Sequence, residues 1–375
     1  MVLRFSHLVA PVLMGVVMAL PHALQGQNSL VVHVDGLSED TVYLAHYYGA
    51  KLFYNDTAVA DASGTVTFEG KPFDEGGKYA VVMPGPRYFE FLMVDEPMEF
   101  KTSASNPTGD LEVIQSKEND VFYSYIEFIR EKREARKPFD AVLQDSTATP
   151  EAVEEARAGV AALTEEVNEY QYYLTNDPRN FLFGKYLNMV TEPQVPEAPD
   201  SVDNAALWQY LWYRDHYWDR VDFSDPRLVR DGAFDSMVSR YWSKVLPQIP
   251  DTMIAEAHGL LAKTLETDNR DMFKYILHHM TYASESSKIM CMDKVFVNLV
   301  NAYYRTGQVD WLEDEQLQKI LERADDLKHS LCGNQPPDIT LPDLDQNEWV
   351  SLHDIEAKYT VLCIWESTCG HCKKE

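Results

Sequence analysis

From Ser29 to Thr102 apolar and polar residues alternate over short runs: LVVHV, TVYLAHYY, TAVAD, TVTFEG, YAVVM, FEFLMV and MEFKT. Turn pairs separate them, among them Asp35-Gly36, Ser63-Gly64, Gly76-Gly77 and Pro84-Gly85. Period-two runs rich in Val, Tyr and Phe between Gly, Pro and Asp predict roughly seven strands in an antiparallel β-sandwich or barrel. The predicted β-domain spans 28–115.

Beyond about Asn119 the period changes. Few glycines occur before Ser330, and apolar residues recur at helical spacing, as in Val153, Val160, Leu163, Val167, Tyr170 and Leu174. Thr149-Pro150-Glu151 is a helix start, with proline at the first helical position and an acid near the positive end of the dipole. The helix that follows is expected to be half of a helical hairpin. Asp177-Pro178, Ser224-Asp225-Pro226 and Pro250-Asp251 read as further starts, and Gly307 and Gly333 as stops just beyond two late helices. About eight helices are expected over 118–332, without the fixed period of a repeat array.

Asn334-Gln335-Pro336-Pro337 reads as a linker. ITLPDLD, WVSLHDI and the apolar run Tyr359 to Trp365 then predict a strand, a second short element and a second strand, the opening of an α/β domain over 336–375. The expected fold class is multidomain α+β: an N-terminal antiparallel sandwich, an all-α middle and an incomplete α/β segment at the C-terminus.

Composition narrows the function classes. Sixty acidic against 33 basic side chains leave a net charge of -27, which repels phosphate backbones and anionic lipid and disfavours nucleic-acid binding. Residues 1–26 combine a basic start at Arg4, an apolar stretch from Leu8 to Leu20 and a small-residue exit near Ala23 to Gly26, the layout of a secretory signal peptide. No later segment is apolar for long enough to span a bilayer. The expected location is exported, in a bacterial periplasm, with an uncleaved signal anchor as the alternative form of attachment.

Five cysteines, Cys291, Cys332, Cys363, Cys369 and Cys372, are too few for a disulfide framework in 375 residues. Cys291 and Cys363 lie in apolar runs and are expected to be buried, inert thiols. Cys369 and Cys372 differ: on a helix they stand one turn apart on one face, within bonding reach. A first sulfur at a helix N-terminus meets unpaired N–H groups and the dipole, which favour the thiolate. Cys369 would attack a substrate disulfide, and Cys372 would resolve the mixed disulfide. His371 can add positive charge beside the thiolate, with Gly370 completing the dipeptide, Thr368 at the cap and Trp365 closing the strand. A zinc site needs two more ligands, and no second CxxC exists. Covalent haem needs histidine after Cys372, where Lys373 stands. A peroxidatic site needs threonine where Glu366 stands. Neither cofactor nor metal is expected.

From Pro336 to Glu375 the chain resembles the opening of the TlpA-type, ResA-like thioredoxin family of periplasmic thiol-disulfide oxidoreductases. Pro337, Asp338, Leu344, Ser351, Leu352, Lys358, Tyr359 and Trp365 match its pattern, and Cys369 and Cys372 take the nucleophile and resolving positions. The resemblance implies that 336–375 is the N-terminal part of a thioredoxin-like α/β domain that continues past Glu375, and it implies dithiol–disulfide exchange with protein substrates and an upstream electron donor. Gly370-His371 is the dipeptide of disulfide isomerases, which lie on the oxidising side of thioredoxin. DASGTVTFEG with Tyr79 and FEFLMV resembles an all-β domain of unknown function found ahead of such modules. YWDRVDFSDPRLVR and SKIMCMDKVFVNLVNAYYRTGQVDW resemble a helical domain of unknown function that also precedes them.

Three weaker signals read as structural. LWQYLWYRDHYWDRVDF could line a groove but fits a helical core with amphipathic rims. His278 and His279 point about 100° apart on a helix and do not chelate together. The acids of EEARAGVAALTEEVNEY fit a solvated face. The expected function is thiol–disulfide exchange, in the reducing direction by family likeness; the alternative is a non-catalytic exported binding or scaffold protein whose β and helical domains recruit a ligand or partner.

Overall fold

The computed structural model describes residues 29–69, 75–85, 87–344, 348–363, 365, 366, 368 and 370. The signal-peptide reading of 1–26 lies outside them. The chain is mixed α+β and divides into two compact units, one of 1–191 with 220–222 and 227–234, the other of 192–219, 223–226 and 235–375. Composition changes near residue 118, whereas compactness changes near 191, so the first three helices are grouped with the strands.

In the first unit, β1 (Ser29–Asp35), β4 (Thr65–Glu69), β7 (Met98–Ser103) and β8 (Glu112–Gln115) form one sheet, ordered β4-β1-β7-β8. β3 (Lys51–Val59), β2 (Thr41–Tyr48), β5 (Gly77–Met83) and β6 (Arg87–Met93) form the other, in the order given. Alternate residues from both sheets, including Leu30, Val32, Phe68, Phe100, Leu44, Val81 and Phe91, bury one shared core, as the two-residue period requires. Phe100 lies 5.6 Å from Phe89 and 5.4 Å from Phe91, ring to ring, joining the sheets.

The sandwich departs from the expected one in two respects. β1 and β7 pair in parallel, because the connection between them passes through the other sheet and returns in the same direction. β3 runs through KLFYNDTAV rather than TAVAD alone, and β8 was not expected. Polar and charged residues hid both, since edge strands keep solvent-facing polar positions. The Ser63-Gly64 turn is as expected. The Asp61 carboxylate accepts from the amides of Ser63 and Thr65 at 2.8 and 2.9 Å. Gly64 adopts φ +82, and a Cβ there would stand 2.3 Å from the Val34 carbonyl.

α1 (Lys117–Gln144) and α2 (Pro150–Thr175) form the expected helical hairpin. Thr149 caps α2 through a 3.3 Å bond from the Ala152 amide, with Pro150 at its start. The first turn of α1 is bound to the sheet edge. Asn119, fully buried, accepts from the Leu92 amide at 2.7 Å and donates to the Leu92 carbonyl at 2.8 Å, completing the outer side of β6 as a strand would. Asp177-Pro178 does not start a helix: Asp177 binds the backbone and side chain of Arg179 and closes a turn. α3 begins later, at Leu182–Val190, and Glu118 caps it from α1, accepting from the Leu182 and Phe183 amides at 3.1 and 2.7 Å. Burial raises the Glu118 carboxyl above its ordinary value, against those two amides.

In the second unit, α4 (Ala205–Asp215) and α5 (Gly232–Arg240, of which the last six residues lie here) precede α6 (Pro250–Glu266), α7 (Arg270–Glu285), α8 (Asp293–Leu299) and α9 (Asp314–Leu327). Pro250 opens α6 as expected, whereas Pro226 opens only a single 3-10 turn. π-helical turns at Tyr241–Val245 and Val300–Tyr304 extend α5 and α8. Such turns reorient a helix face; here Tyr241 donates to Glu256 and Tyr303 meets His258, each at 2.8 Å. Gly307 follows the second π turn at φ +76, as its reading as a stop anticipates. Gly333, also left-handed, lies six residues past the end of α9.

Candidate functional site around the C-terminal hairpin

Residues 336–355 form a hairpin closed by hydrogen bonds among themselves. β9 (Thr340–Pro342) and β10 (Trp349–Ser351) pair antiparallel, with Thr340 opposite Ser351 and Pro342 opposite Trp349. The Ser351 hydroxyl donates to both Asp338 oxygens at 2.8 Å, and the His353 amide donates to one at 3.1 Å. Leu352 donates to the Ile339 carbonyl at 2.9 Å, and His353 Nε2 lies 2.8 Å from the Pro336 carbonyl. Three of the motif positions, Asp338, Ser351 and Leu352, thus belong to one hydrogen-bonded lock at the start of the segment. The Ser351 hydroxyl and then the His353 amide hold the Asp338 carboxyl below its usual range.

An open apolar groove of about 170 Å³ lies on this hairpin, lined chiefly by Ile339, Leu341, Val350, Leu352, Val361 and Leu362. The expected strand from Tyr359 is not formed: 359–363 carry no ladder, and Val361 is 89% exposed. An extended run becomes a strand only when a neighbour takes its backbone groups. Trp365 is exposed, Thr368 donates to Glu366 at 2.6 Å, and Gly370 has open space where a Cβ would stand. Cys369, Cys372 and His371 lie outside the described residues.

The other cysteines depart from expectation. Cys291 and Cys332 form a disulfide with Cα atoms 5.5 Å apart, so Cys291 is not a buried inert thiol. Cys363 is a free thiol but exposed, because the apolar run around it is itself uncovered. Neither position has a periodic neighbour that would reveal the pairing from sequence.

The aromatic stretch splits. Tyr217, Trp218 and Phe223 are buried, whereas no residue of α4 is. Trp212 stacks on His216 at 3.9 Å, Tyr213 donates to Glu192 at 2.6 Å and Tyr210 to the Val245 carbonyl at 2.9 Å. Burial pushes the Tyr217 hydroxyl up to about 12. These rings and hydroxyls are engaged internally. On α7, burial lowers His279 despite Asp235 at 3.8 Å. Among the described residues no group of three or more His, Cys, Asp or Glu is arranged to hold a metal, and no helix is long and apolar enough to cross a membrane.

No curated protein and no solved structure matches the chain. Residues 162–326, most of the helical region, are similar to a family described as a domain of unknown function (DUF5106).

Proposed function

We propose that the chain serves thiol–disulfide exchange in an exported setting, through Cys369 and Cys372. The observation that carries this reading is the lock of Asp338, Ser351 and His353 with the β9–β10 hairpin. It joins motif positions that lie far apart in sequence and gives them a common structural task, at the start of a segment whose cysteine spacing suits a helix N-terminus. The Cys369 thiolate attacks one sulfur of a substrate disulfide and displaces the other as a thiolate. The Cys372 thiolate then attacks Cys369, releasing the reduced substrate and leaving the Cys369–Cys372 disulfide, so two electrons pass from chain to substrate. An upstream dithiol resets the pair. His371 stabilises the reduced form by its charge.

The test is a glutathione titration of the full chain, with the peptide holding Cys369 and Cys372 followed by alkylation and mass spectrometry. A two-electron transition that disappears in Cys369→Ser supports the reading; no transition sinks it.

A second reading has an observation of its own. On the outer face of the β3-β2-β5-β6 sheet, Tyr43 and Tyr88 both pair with Val82 across strands, and Tyr54 meets Tyr43 edge to face at 5.3 Å. All three rings are exposed, the surface a recruiting module would offer. This reading leads if the titration shows no transition.

A further inference from the structure

The Cys291–Cys332 bond ties the short loop between α7 and α8 to the chain leaving α9, across 41 residues of sequence. Three features set it apart from a structural cross-link. Cys332 is exposed and Cys291 half-exposed, so the bond lies at the surface of its unit rather than in the core. Cys291 adopts φ 72, a left-handed conformation that costs a residue with a Cβ about 1 kcal/mol or more. Beside it Ile289 and Met290 are exposed, Met290 at 82%. Two adjacent apolar side chains next to a disulfide give a docking partner something to bind besides sulfur.

The hydrogen bonds around each half are local, while Met292 is buried and Arg323 of α9 meets Glu285 of α7 at 3.6 Å. The Ile289 amide donates to Ser287 Oγ at 3.2 Å, and the Lys294 amide to the Cys291 carbonyl at 3.2 Å. On the other arm, Ser330 donates to the Leu327 carbonyl and Asn334 to that of Leu331, each at 3.0 Å. These bonds keep each arm folded on itself and do not join them. Lys288 stands three residues before Cys291, a cation in a strongly acidic chain that favours a departing thiolate.

We propose that Cys291–Cys332 is a reducible clasp, a surface disulfide that a dithiol opens in the folded protein. One thiolate of the dithiol bonds to the sulfur of Cys332, the more exposed residue of the pair, and Cys291 leaves as a thiolate and takes a proton from water. The second thiolate of the dithiol then attacks the first, releasing Cys332 as a thiol; the dithiol ends as a disulfide, and two electrons have entered the clasp. Opening relieves the left-handed Cys291 and frees 286–292 from 328–334, the segment that leads into the C-terminal hairpin. The inference does not rest on the activity of Cys369 and Cys372.

The experiment exposes the full chain to dithiothreitol without denaturant and reads alkylation of each cysteine separately by mass spectrometry, with amide exchange in parallel. Cys291 and Cys332 should become alkylated within about tenfold of the rate in the unfolded chain. Exchange should rise about tenfold or more at 286–293 and 328–334 while 253–281 stays protected. A bond that opens only as fast as the whole unit unfolds overturns the proposal, and so does opening without local change in exchange. The Cys291→Ala/Cys332→Ala double variant should show the raised exchange without reductant; the wild-type measurement stands alone if that variant does not fold.

Discussion

Tyr79-Ala80-Val81-Val82-Met83 and Tyr359-Thr360-Val361-Leu362-Cys363 are both apolar strings that open on tyrosine and carry valine third, yet one is the interior of a sheet and the other has no ladder. β5 has β2 on one side and β6 on the other, and Val81 is fully buried. Residues 359–363 flank a two-stranded hairpin and expose most of their apolar surface. Both strings have strand-forming composition. The difference lies in the neighbours, since a strand's backbone groups and apolar face must both be covered before its propensity counts.

The largest effect should come from placing a charge in each string. Val81→Asp buries a carboxylate in the shared core and should cost at least about 4 kcal/mol, unfolding the β-domain. Val361→Asp should stay within about 0.5 kcal/mol. Circular dichroism melts of the two variants decide this, and equal losses would mean that 359–363 is covered after all.

The Asn119 side chain tests what an uncovered edge lacks. Asn119→Ala leaves the Leu92 amide and carbonyl without partners, at a cost of about 2–4 kcal/mol. Amide exchange should rise first at Leu92. If β6 keeps its protection, the side chain is not acting as a strand neighbour.

Glu118 sharpens the same point through pH. Its carboxyl is raised by burial, so the folded unit holds the proton more tightly than the unfolded chain. Stability relative to Glu118→Gln should therefore grow as pH falls through the folded pKa and level off below the unfolded one. The slope is at most about 1.4 kcal/mol per pH unit. Denaturant melts between neutral and mildly acid pH measure it, and a slope of opposite sign would refute burial as the cause.

The smallest effect belongs to Asp338, at the surface, whose lowered carboxyl gives the opposite sign. The lock is present above the ordinary aspartate pKa and is lost as pH falls through the folded value. Asp338→Asn should speed exchange of the His353 amide without moving the melting temperature of either unit. A shift in either would give the hairpin a larger role than its contacts support.

Local rules made much of the molecule legible. Alternation located the core strands, the Ser63-Gly64 turn followed from its residue types, and Thr149-Pro150 and Pro250 opened helices where they should. Asp177-Pro178 failed because the same residue types also close a turn, which the Arg179 contacts favour. In the candidate site, the motif positions were legible one by one. Their meeting around Asp338 was not, because a hydrogen bond from Ser351 spans 13 residues with no periodic signal.

The sequence by itself determined the alternation of 29–102, the change to helical period, the acidic charge and the cysteine spacing, all properties of neighbours along the chain. Only the tertiary structure decided that β1 and β7 run parallel, that Asn119 completes a sheet edge, that Glu118 caps α3, that Cys291 bonds Cys332 and that Tyr359–Cys363 stands unpaired. Each depends on which distant group supplies the missing partner, and pairing across space leaves no period in the sequence.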